Sequence, residues 1–547
     1  MLYKDFKVKR PSGTKLQKGY VYHVLEVKWN KDKKYATDKR INIGKMIDDE
    51  YMIPNDAYKL YYPETIFELG EPPLFNDTLK IGSTMLIRKL LESSELDNLI
   101  NTVHHDYYSD IINLISYIVI NETTKFQYYP YFSKDHSIIG NSIRSDSYIS
   151  KLLKDISEKE IDLFIKAWNT INCDIKDIYI NYDSTNMNTS AKGITLAEYG
   201  HPKVDEELPQ VNISYATSAL DSKPLFYEIY PGSIIDNSQF TYMLNKASEY
   251  GYKNIGFILD RGYYSQTNIN FLDKNKYEFI MMIKNSNPLL KKEYLGFEDD
   301  INHFINNHNV FGKTIKAKLN ENDKKTRYFN IYYSDDLKLS DKYDITSKVE
   351  LYTNELDEIL SSKKLITKDG LTKYEDFFKL SYDTNGYFKG YKLDSKKIND
   401  KLSKCGYFMI ISSKDLSAKK ILDIYRNRDS VEKIFRALKS SLDYEHFRVH
   451  SDSSLKAKTH ITFIASIIRN EIHQKLLTLY EENRKSYTVT NCLYELDNIT
   501  TTLNSRDIYI RKYGLTAKQK KILKQFKLSE KDIDLEIQRI NKSLNKI

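Results

Sequence analysis

The chain has 547 residues, too many for one hydrophobic core, so three or four domains are expected. With 41% hydrophobic and 29% charged residues, it has the balance of a folded globular protein and excludes a disordered one. A net charge of +8 permits a nucleic-acid partner without establishing one.

Residues 1–75 read as a small β-containing module. Tyr20 to Trp29 alternates weakly, a Lys-rich turn spans Asn30 to Lys34, and KRINIGK follows from Lys39 to Lys45. Basic residues interleave with Tyr20, Tyr22 and Trp29. Such a surface suits a phosphate backbone, and it equally suits a solvated hairpin. Residues 76–175 read as helical. Ser83 is placed to cap a helix through Met85, Leu86, Leu90 and Leu91. Further helices are expected over Asp110–Ile120, Ser147–Ile156 and Glu158–Thr170. By position this region is a DNA-end-binding domain, although packing alone explains each helix as well.

At Asp177 the pattern changes. Ile178, Tyr179, Ile180 and Tyr182 predict a short strand ending in Asp183-Ser184-Thr185-Asn186. Gln210 to Ala219 alternates, Asp221-Ser222-Lys223 turns, and Pro224 to Tyr230 returns as a partner strand. A helix is expected over Ser238–Tyr250, then a buried strand over Ile255–Leu259 that ends in Asp260-Arg261-Gly262. A helix over Gln266–Leu272 and a strand over Tyr277–Ile283 complete the run. An antiparallel hairpin joined to strand–helix units is the layout of a ribonuclease-H-like core.

Residues 286–404 have another texture. Thr314–Leu319, Tyr328–Tyr333, Lys348–Tyr352 and Phe377–Tyr382 alternate like strands, and Asn385-Gly386 is a hairpin signal. The stretch is too long for a loop and reads as a β-rich insertion. The core resumes over 405–450, with a strand at Tyr407–Ile411. Residues 451–547 read as a helical C-terminal region, with an apolar helix over His460–Leu477 and a basic segment over Leu515–Lys527. The fold class is therefore α/β. A ribonuclease-H-like core over 176–285 and 405–450 carries the insertion, follows the β module and the helical domain, and precedes the C-terminal helices.

The stretch Ile421–His450 reads as one helix. Ile424, Val431, Ile434, Phe435, Leu438 and Leu442 recur at helical spacing with no Gly or Pro between them. Tyr425, Arg428, Glu432 and Lys439 fall within roughly 60° of each other, on a strip beside that apolar face. In an open α/β sheet, ligands and chemistry collect at strand ends, where Asp183 and Asp260 are expected. Two strand-end aspartates and the helix-borne Glu432 can converge there. Carboxylate oxygens suit hard divalent ions. Two such ions about 4 Å apart serve an in-line displacement at phosphorus. Singly, each Asp also reads as a cap or turn residue, and Glu432 as a surface ion pair. Their order and placement together favour the metal site.

The spacing Y-x2-R-x3-E-x6-K resembles the signature of a large group of bacterial insertion-sequence transposases with an Asp-Asp-Glu active site. NYDSTN around Asp183 resembles the first-aspartate motif of that group, and ILDRGYYS around Asp260 resembles the second. The stretch from Tyr199-Gly200-His201-Pro202 through LPQVNISYATSALDSKPLFYEIYPG resembles the hairpin that follows the first. The resemblance implies cut-and-paste transposition on double-stranded DNA at terminal inverted repeats and at a target. It implies two Mg²⁺ (or Mn²⁺) ions on Asp183, Asp260 and Glu432. Tyr425, Arg428 and Lys439 would hold phosphates, with Arg261 as a further candidate. It also implies a homodimer on DNA in a bacterial cytoplasm, associated with the nucleoid. Members of the group carry an aromatic wedge in the insertion, whereas the two tryptophans, Trp29 and Trp168, lie outside it.

A reducing compartment fits the three isolated cysteines, Cys173, Cys405 and Cys492, which form no CxxC pair. No membrane partner is expected. The N-terminus has no apolar signal core, and the longest apolar run, Ile111–Ile120, is too short to span a bilayer. Two other classes remain beside the transposase: a metal-dependent nuclease of the same fold, and a transposase-derived DNA-binding protein without catalysis.

Overall fold

The computed structural model describes residues 7–30, 34–62, 77–140, 143–173, 179–200, 208–234, 236–252, 255–283, 287–362, 365–426, 447–504 and 508–544.

The N-terminal module is a five-stranded sheet of β1 (Val8–Lys9), β2 (Lys15–Gln17), β3 (Tyr20–Asn30), β4 (Tyr35–Met46) and β5 (Tyr51–Pro54), in the order β1-β5-β4-β3-β2. Alternate residues Val21 and Ile43 join Val8 and Met52 in a small core, closed by Tyr58 of α1 (Asp56–Tyr61). This core shares no member with the larger ones.

Six helices follow: α2 (Gly82–Glu92), α3 (Glu95–Val103), α4 (Tyr108–Asn121), α5 (Tyr129–Asp135), α6 (Asp146–Asp155) and α7 (Glu158–Asn172). Ser145 and Ser157 cap α6 and α7, and Ser157 forms a capping box with Glu160. Ser83 is not the expected cap. It lies inside the first turn of α2, and its hydroxyl bonds Asp497 instead of the helix's own backbone. The run Ile111–Ile120 is apolar on all sides because α4 is buried on all sides within the main core. Among the described residues, no helix is long and apolar enough to cross a membrane.

Among the described residues the central sheet has nine strands. Six were expected in the core: β6 (Tyr179–Asn188), β7 (Gln210–Ser218), β8 (Pro224–Pro231), β9 (Gly256–Leu259), β10 (Glu278–Ile283) and β16 (Tyr407–Ser412). The other three are β11 (Phe304–Ile305), β12 (Val310–Ala317) and β13 (Arg327–Tyr333), and the order is β11-β12-β13-β16-β10-β9-β6-β7-β8. β6, β7 and β8 pair antiparallel, β6, β9 and β10 run parallel, and β16 returns antiparallel to β10.

Two expectations for 286–404 are corrected here. β12 and β13 do not form a sheet of the insertion, because β13 pairs with β16 and so extends the central sheet. Lys348–Tyr352 is helical, inside the long α10 (Asp335–Ser361). Its local alternation misleads because Ile345, Val349, Tyr352, Leu356 and Ile359 recur at helical spacing and pack on a hairpin. That hairpin joins β14 (Phe378–Tyr382) to β15 (Phe388–Leu393), with Gly386 at φ +83° supplying the turn. It is the only strand pair among the described residues of 335–404, beside α10 and α11 (Ser395–Ser403).

Helices cover both faces of the sheet. On one, α8 (Asp236–Glu249) sets Phe240 against Tyr182 and Phe257 at 6.1 and 6.2 Å, and α9 (Gln266–Lys274) adds Ile269 and Leu272. On the other, α12 (Ala418–Arg426) lies over β9, β10, β13 and β16, packing Ile421 and Leu422 on Ile258, Ile280, Tyr332 and Ile410. On that same face α13 (Asp452–Glu482) lies over β7 and β8, with Phe463 6.1 Å from Tyr215 and 5.0 Å from Tyr227. The C-terminal region adds α14 (Val489–Asp497), a two-stranded ribbon of β17 (Thr501–Leu503) and β18 (Tyr509–Arg511), α15 (Ala517–Gln525) and α16 (Glu530–Ser543). Glu536 of α16 is buried and pairs with Arg88 of α2 and Arg539, tying the C-terminus to the first helical domain.

Candidate active site

The sheet sets Asp183 and Asp260 side by side. β6 and β9 run parallel in the register Tyr179–Gly256, Ile180–Phe257 and Asn181–Ile258. Extended two residues past its last pair, that register brings Asp183 opposite Asp260. Alternation puts Asn181, Asp183, Ile258 and Asp260 on one face. That is the α12 face, because Ile258 packs under α12 while Ile180, Tyr182, Phe257 and Leu259 belong to the opposite core.

Asp183 was expected to end its strand and does not, since β6 continues to Asn188. The reason is its two neighbours. The antiparallel partner β7 pairs with β6 through to Asn188, whereas the parallel ladder to β9 is last paired at Asn181. Asp183 therefore sits past the end of the parallel ladder but within the antiparallel one. It is half-buried, and its Oδ1 accepts the Ser184 N–H at 2.8 Å. Asp260 does end its strand. It is half-buried and caps the single turn Arg261–Tyr263, accepting the Arg261 N–H at 2.6 Å.

Tyr425 is brought to this pair. It is buried on the last turn of α12, and its phenol points to Asp260 Oδ1 at 3.5 Å, a long hydrogen bond. Three contacts fix α12 in place. Tyr332 donates to the Ala418 carbonyl at 2.7 Å, His308 Nε2 lies 2.6 Å from Asp423, and Arg426 donates to His308 Nδ1 at 2.9 Å. Because Arg426 occupies Nδ1 as a donor, the histidine proton sits on Nε2, facing Asp423. Arg261 is exposed beside Asp260. Arg428, Glu432 and Lys439 lie outside the described residues, as does the part of the expected Ile421–His450 helix between Arg426 and Phe447. Phe447 to His450 is not helical.

Two half-buried carboxylates in adjacent register fit a divalent cation, which offsets the repulsion between them and matches their hard oxygens. Among the described residues no group of three His, Cys, Asp or Glu side chains is placed to hold a metal. The third carboxylate named from the sequence, Glu432, falls outside that set.

Sequence reasoning missed Asn181. Its side chain is fully buried two residues before Asp183 on the same face, and neither amide atom has a hydrogen-bond partner among the described residues. Alternation from Asp183 places it there, but nothing local signals its burial. The His308–Asp423–Arg426 contacts were missed as well, because they join positions more than a hundred residues apart.

At the return of the chain after α12, Lys458 of α13 is buried and donates to the Phe447 carbonyl at 2.8 Å. Burial, with a smaller contribution from the nearby Arg448 charge, lowers its ammonium to about 7.

Residues 180–468, more than half of the chain, match the model of the transposase DDE domain. The matched span includes Asp183, Asp260, Tyr425, Arg428, Glu432 and Lys439. No curated protein matches. Among solved structures, the piggyBac transposase synaptic complex with hairpin DNA is 9% identical, over 84% of this chain and 76% of that one. Its TM-score of 0.33 is too low to carry an argument. The family match rests on the span that holds the paired aspartates, and by it this chain belongs to the DDE transposase family.

Proposed function

We propose that the chain is an insertion-sequence transposase that cuts double-stranded DNA at the ends of its element and joins those ends to target DNA by a cut-and-paste route. The observation that carries this reading is the register that sets Asp183 beside Asp260 on the face under α12. The order β8-β7-β6-β9-β10, three antiparallel strands followed by two parallel to the first, supports a ribonuclease-H-like core.

In this reading Asp183, Asp260 and Glu432 hold two Mg²⁺ or Mn²⁺ ions. Bound there, the ions would supply Lewis-acid chemistry for displacement at phosphorus. Asp183 and Asp260 fix the ligand geometry from a rigid sheet, and Tyr425 orients Asp260 from above. Arg428 grips a phosphate with its planar fork, and Lys439 acts as a point charge, with Arg261 at the rim. Cutting two ends together needs two such sites, hence a homodimer on DNA.

The test uses purified protein, a labelled duplex carrying one element end, Mg²⁺ and a supercoiled target plasmid. Cleavage at the element boundary and a joined product are expected. Asp183→Asn and Glu432→Gln should each abolish both products while DNA binding persists. Cleavage without joining in the unmutated protein would point to a nuclease. Retained cleavage in either variant would overturn the site.

A further inference from the structure

The net positive charge of the chain is concentrated at one end. Residues 1–46 hold thirteen Lys or Arg against four Asp or Glu, a net of +9, whereas the whole chain has +8. The remaining 501 residues therefore net −1. The helical region 77–172, which position alone nominates for binding DNA ends, holds ten basic and thirteen acidic residues, a net of −3. Phosphate binding is driven by such local charge, so the two regions are not equal candidates.

The basic segment is also built as a projecting ribbon. β2 pairs with β3 only over Tyr20–Tyr22, and β5 pairs with β4 only over Gly44–Met46. Beyond those pairs β3 and β4 continue as two strands alone, from His23 and Ile41 out to Asn30 and Tyr35. Eight residues of strand give a length of about 26 Å. A register shift between Val24 and Glu26 strengthens the local twist. Both faces of the outer half lie open to solvent, yet Val27 is 59% exposed and Trp29 66% exposed, with Leu25 and Tyr35 exposed beside them. A two-stranded ribbon is marginal alone, and exposed apolar side chains on one mark a contact surface. Both acidic residues of its strands are already neutralised, Asp38 by Lys15 at 3.1 Å and Glu26 by Lys28 at 2.8 Å. Arg40 stacks over Tyr22 at 4.7 Å, holding a guanidinium along the ribbon.

We infer that the β3–β4 ribbon is a DNA-docking element for the major groove of a duplex, with Trp29 and Arg40 on one face and Lys28 and Lys39 on the other, the cations serving phosphates and Trp29 apolar contact. A two-stranded β-ribbon fits a major groove about 12 Å wide. The charge of the segment selects this partner over a second copy of the chain, because two +9 surfaces repel. The assignment rests on the transposase reading only for its choice of duplex DNA, and the experiment separates the two.

Binding of the full chain to a fluorescein-labelled mixed-sequence duplex is followed in EDTA, where no metal-dependent cut interferes, across a salt titration. The ribbon variant Lys28→Gln/Lys39→Gln/Arg40→Gln should weaken binding about tenfold or more near physiological salt. It should also lower the slope of log affinity against log salt by about 2 to 3, at about 0.9 per phosphate contact. The helical-region variant Lys151→Gln/Lys154→Gln/Lys166→Gln should stay within about twofold of the unmutated chain. Trp29→Ala should weaken binding severalfold with an unchanged slope, since it removes apolar contact and no charge. Unchanged melting curves would show that the variants fold. Equal losses from the ribbon and helical variants, or an unchanged ribbon variant, would overturn the assignment. So would a Trp29→Ala chain that binds DNA normally but loses mass by light scattering, because the ribbon would then join copies of the chain. A protein that cuts and joins while its ribbon variants bind normally loses only the ribbon assignment. One whose ribbon variants lose binding but which never cuts loses only the transposase reading.

Discussion

Replacing Asp260 by Asn tests whether the paired aspartates are a metal site or merely a turn cap beside a strand. The register places Asp183 and Asp260 on adjacent parallel strands, whose backbones lie about 4.8 Å apart. Two carboxylates about 5 Å apart at an effective dielectric near 20 repel by about 3 kcal/mol. Both are half-buried, so solvent screening brings the expected figure down to about 1 kcal/mol. Asn keeps the oxygen that accepts the Arg261 N–H, so the cap survives the change while the carboxylate charge that a cation needs is removed. In EDTA the Asp260→Asn chain should melt within a few degrees of the unmutated one, since about 1 kcal/mol moves the midpoint of a domain of this size by about 2–4 °C. With Mg²⁺ or Mn²⁺ at about ten times its Kd, the unmutated chain should gain about 1.4 kcal/mol. The variant should gain little. The assay is a thermal melt in EDTA and in each metal, read by circular dichroism or dye fluorescence. Equal metal shifts in the two chains would refute the metal site and leave Asp260 a cap.

Asn181 is buried with neither amide atom bonded among the described residues, and a buried polar group left so costs about 1–3 kcal/mol. Asn181→Leu, close in size, should therefore leave the melting midpoint unchanged or raise it; a drop of several degrees would show that the amide has a partner the argument missed. Lys458→Met should stabilise the chain at pH 7 by about 2–4 kcal/mol. Lowering an ammonium from 10.5 to about 7 corresponds to about 5 kcal/mol at 1.36 per pH unit, less about 1–3 for the lost bond to the Phe447 carbonyl. Between pH 7 and 10.5 the unfolded chain holds this proton and the folded chain does not, so stability of the unmutated protein should rise with pH through that window. Melts at pH 7 and near pH 9.5 should show that rise contributed by Lys458, and the Met variant should lack it; the same slope in both would refute the assignment.

Much of the central sheet was legible because its strands carry their own signals. Ile255–Leu259 is a buried apolar run stopped by Asp-Arg-Gly, and the Gln210–Tyr230 hairpin has a polar turn between alternating arms. Asp260 was legible for the same reason, since it stands where its strand stops. Asp183 was found as a residue but misplaced as a strand end. The polar run Ser184-Thr185-Asn186 looks like a turn, and only the long-range partner β7 keeps it extended. The same limit hid the fate of β12 and β13. Their alternation predicted strands, but which sheet they joined depended on β16, about eighty residues further along. At Lys348–Tyr352 two periodicities overlap over five residues, and only the wider window, with Ile345, Leu356 and Ile359, decides for helix.

The fixed points around the paired aspartates lie on both sides of the same stretch of chain. Before it, α12 is fastened at its first residue by Tyr332, at its middle by the Asp423–His308 pair, and at its end by Arg426 on His308 and Tyr425 on Asp260. After it, the chain returns at Phe447, whose carbonyl is held by the Lys458 ammonium from inside the core. A buried ammonium with a carbonyl as its hydrogen-bond partner is an inefficient way to stabilise a helix junction, as its lowered pKa records. Met would pack there at lower cost. A costly anchor at that point makes sense if the return of the chain must be held in one position relative to the sheet. The residues between the anchors include Arg428, Glu432 and Lys439, three of the groups whose placement a metal- and phosphate-handling site would require to be repeatable. Lys458→Met should then separate the two quantities, raising the melting midpoint while lowering the rate of DNA cleavage. A variant that gains stability and cuts at the unmutated rate would show that the anchor has no part in positioning that segment.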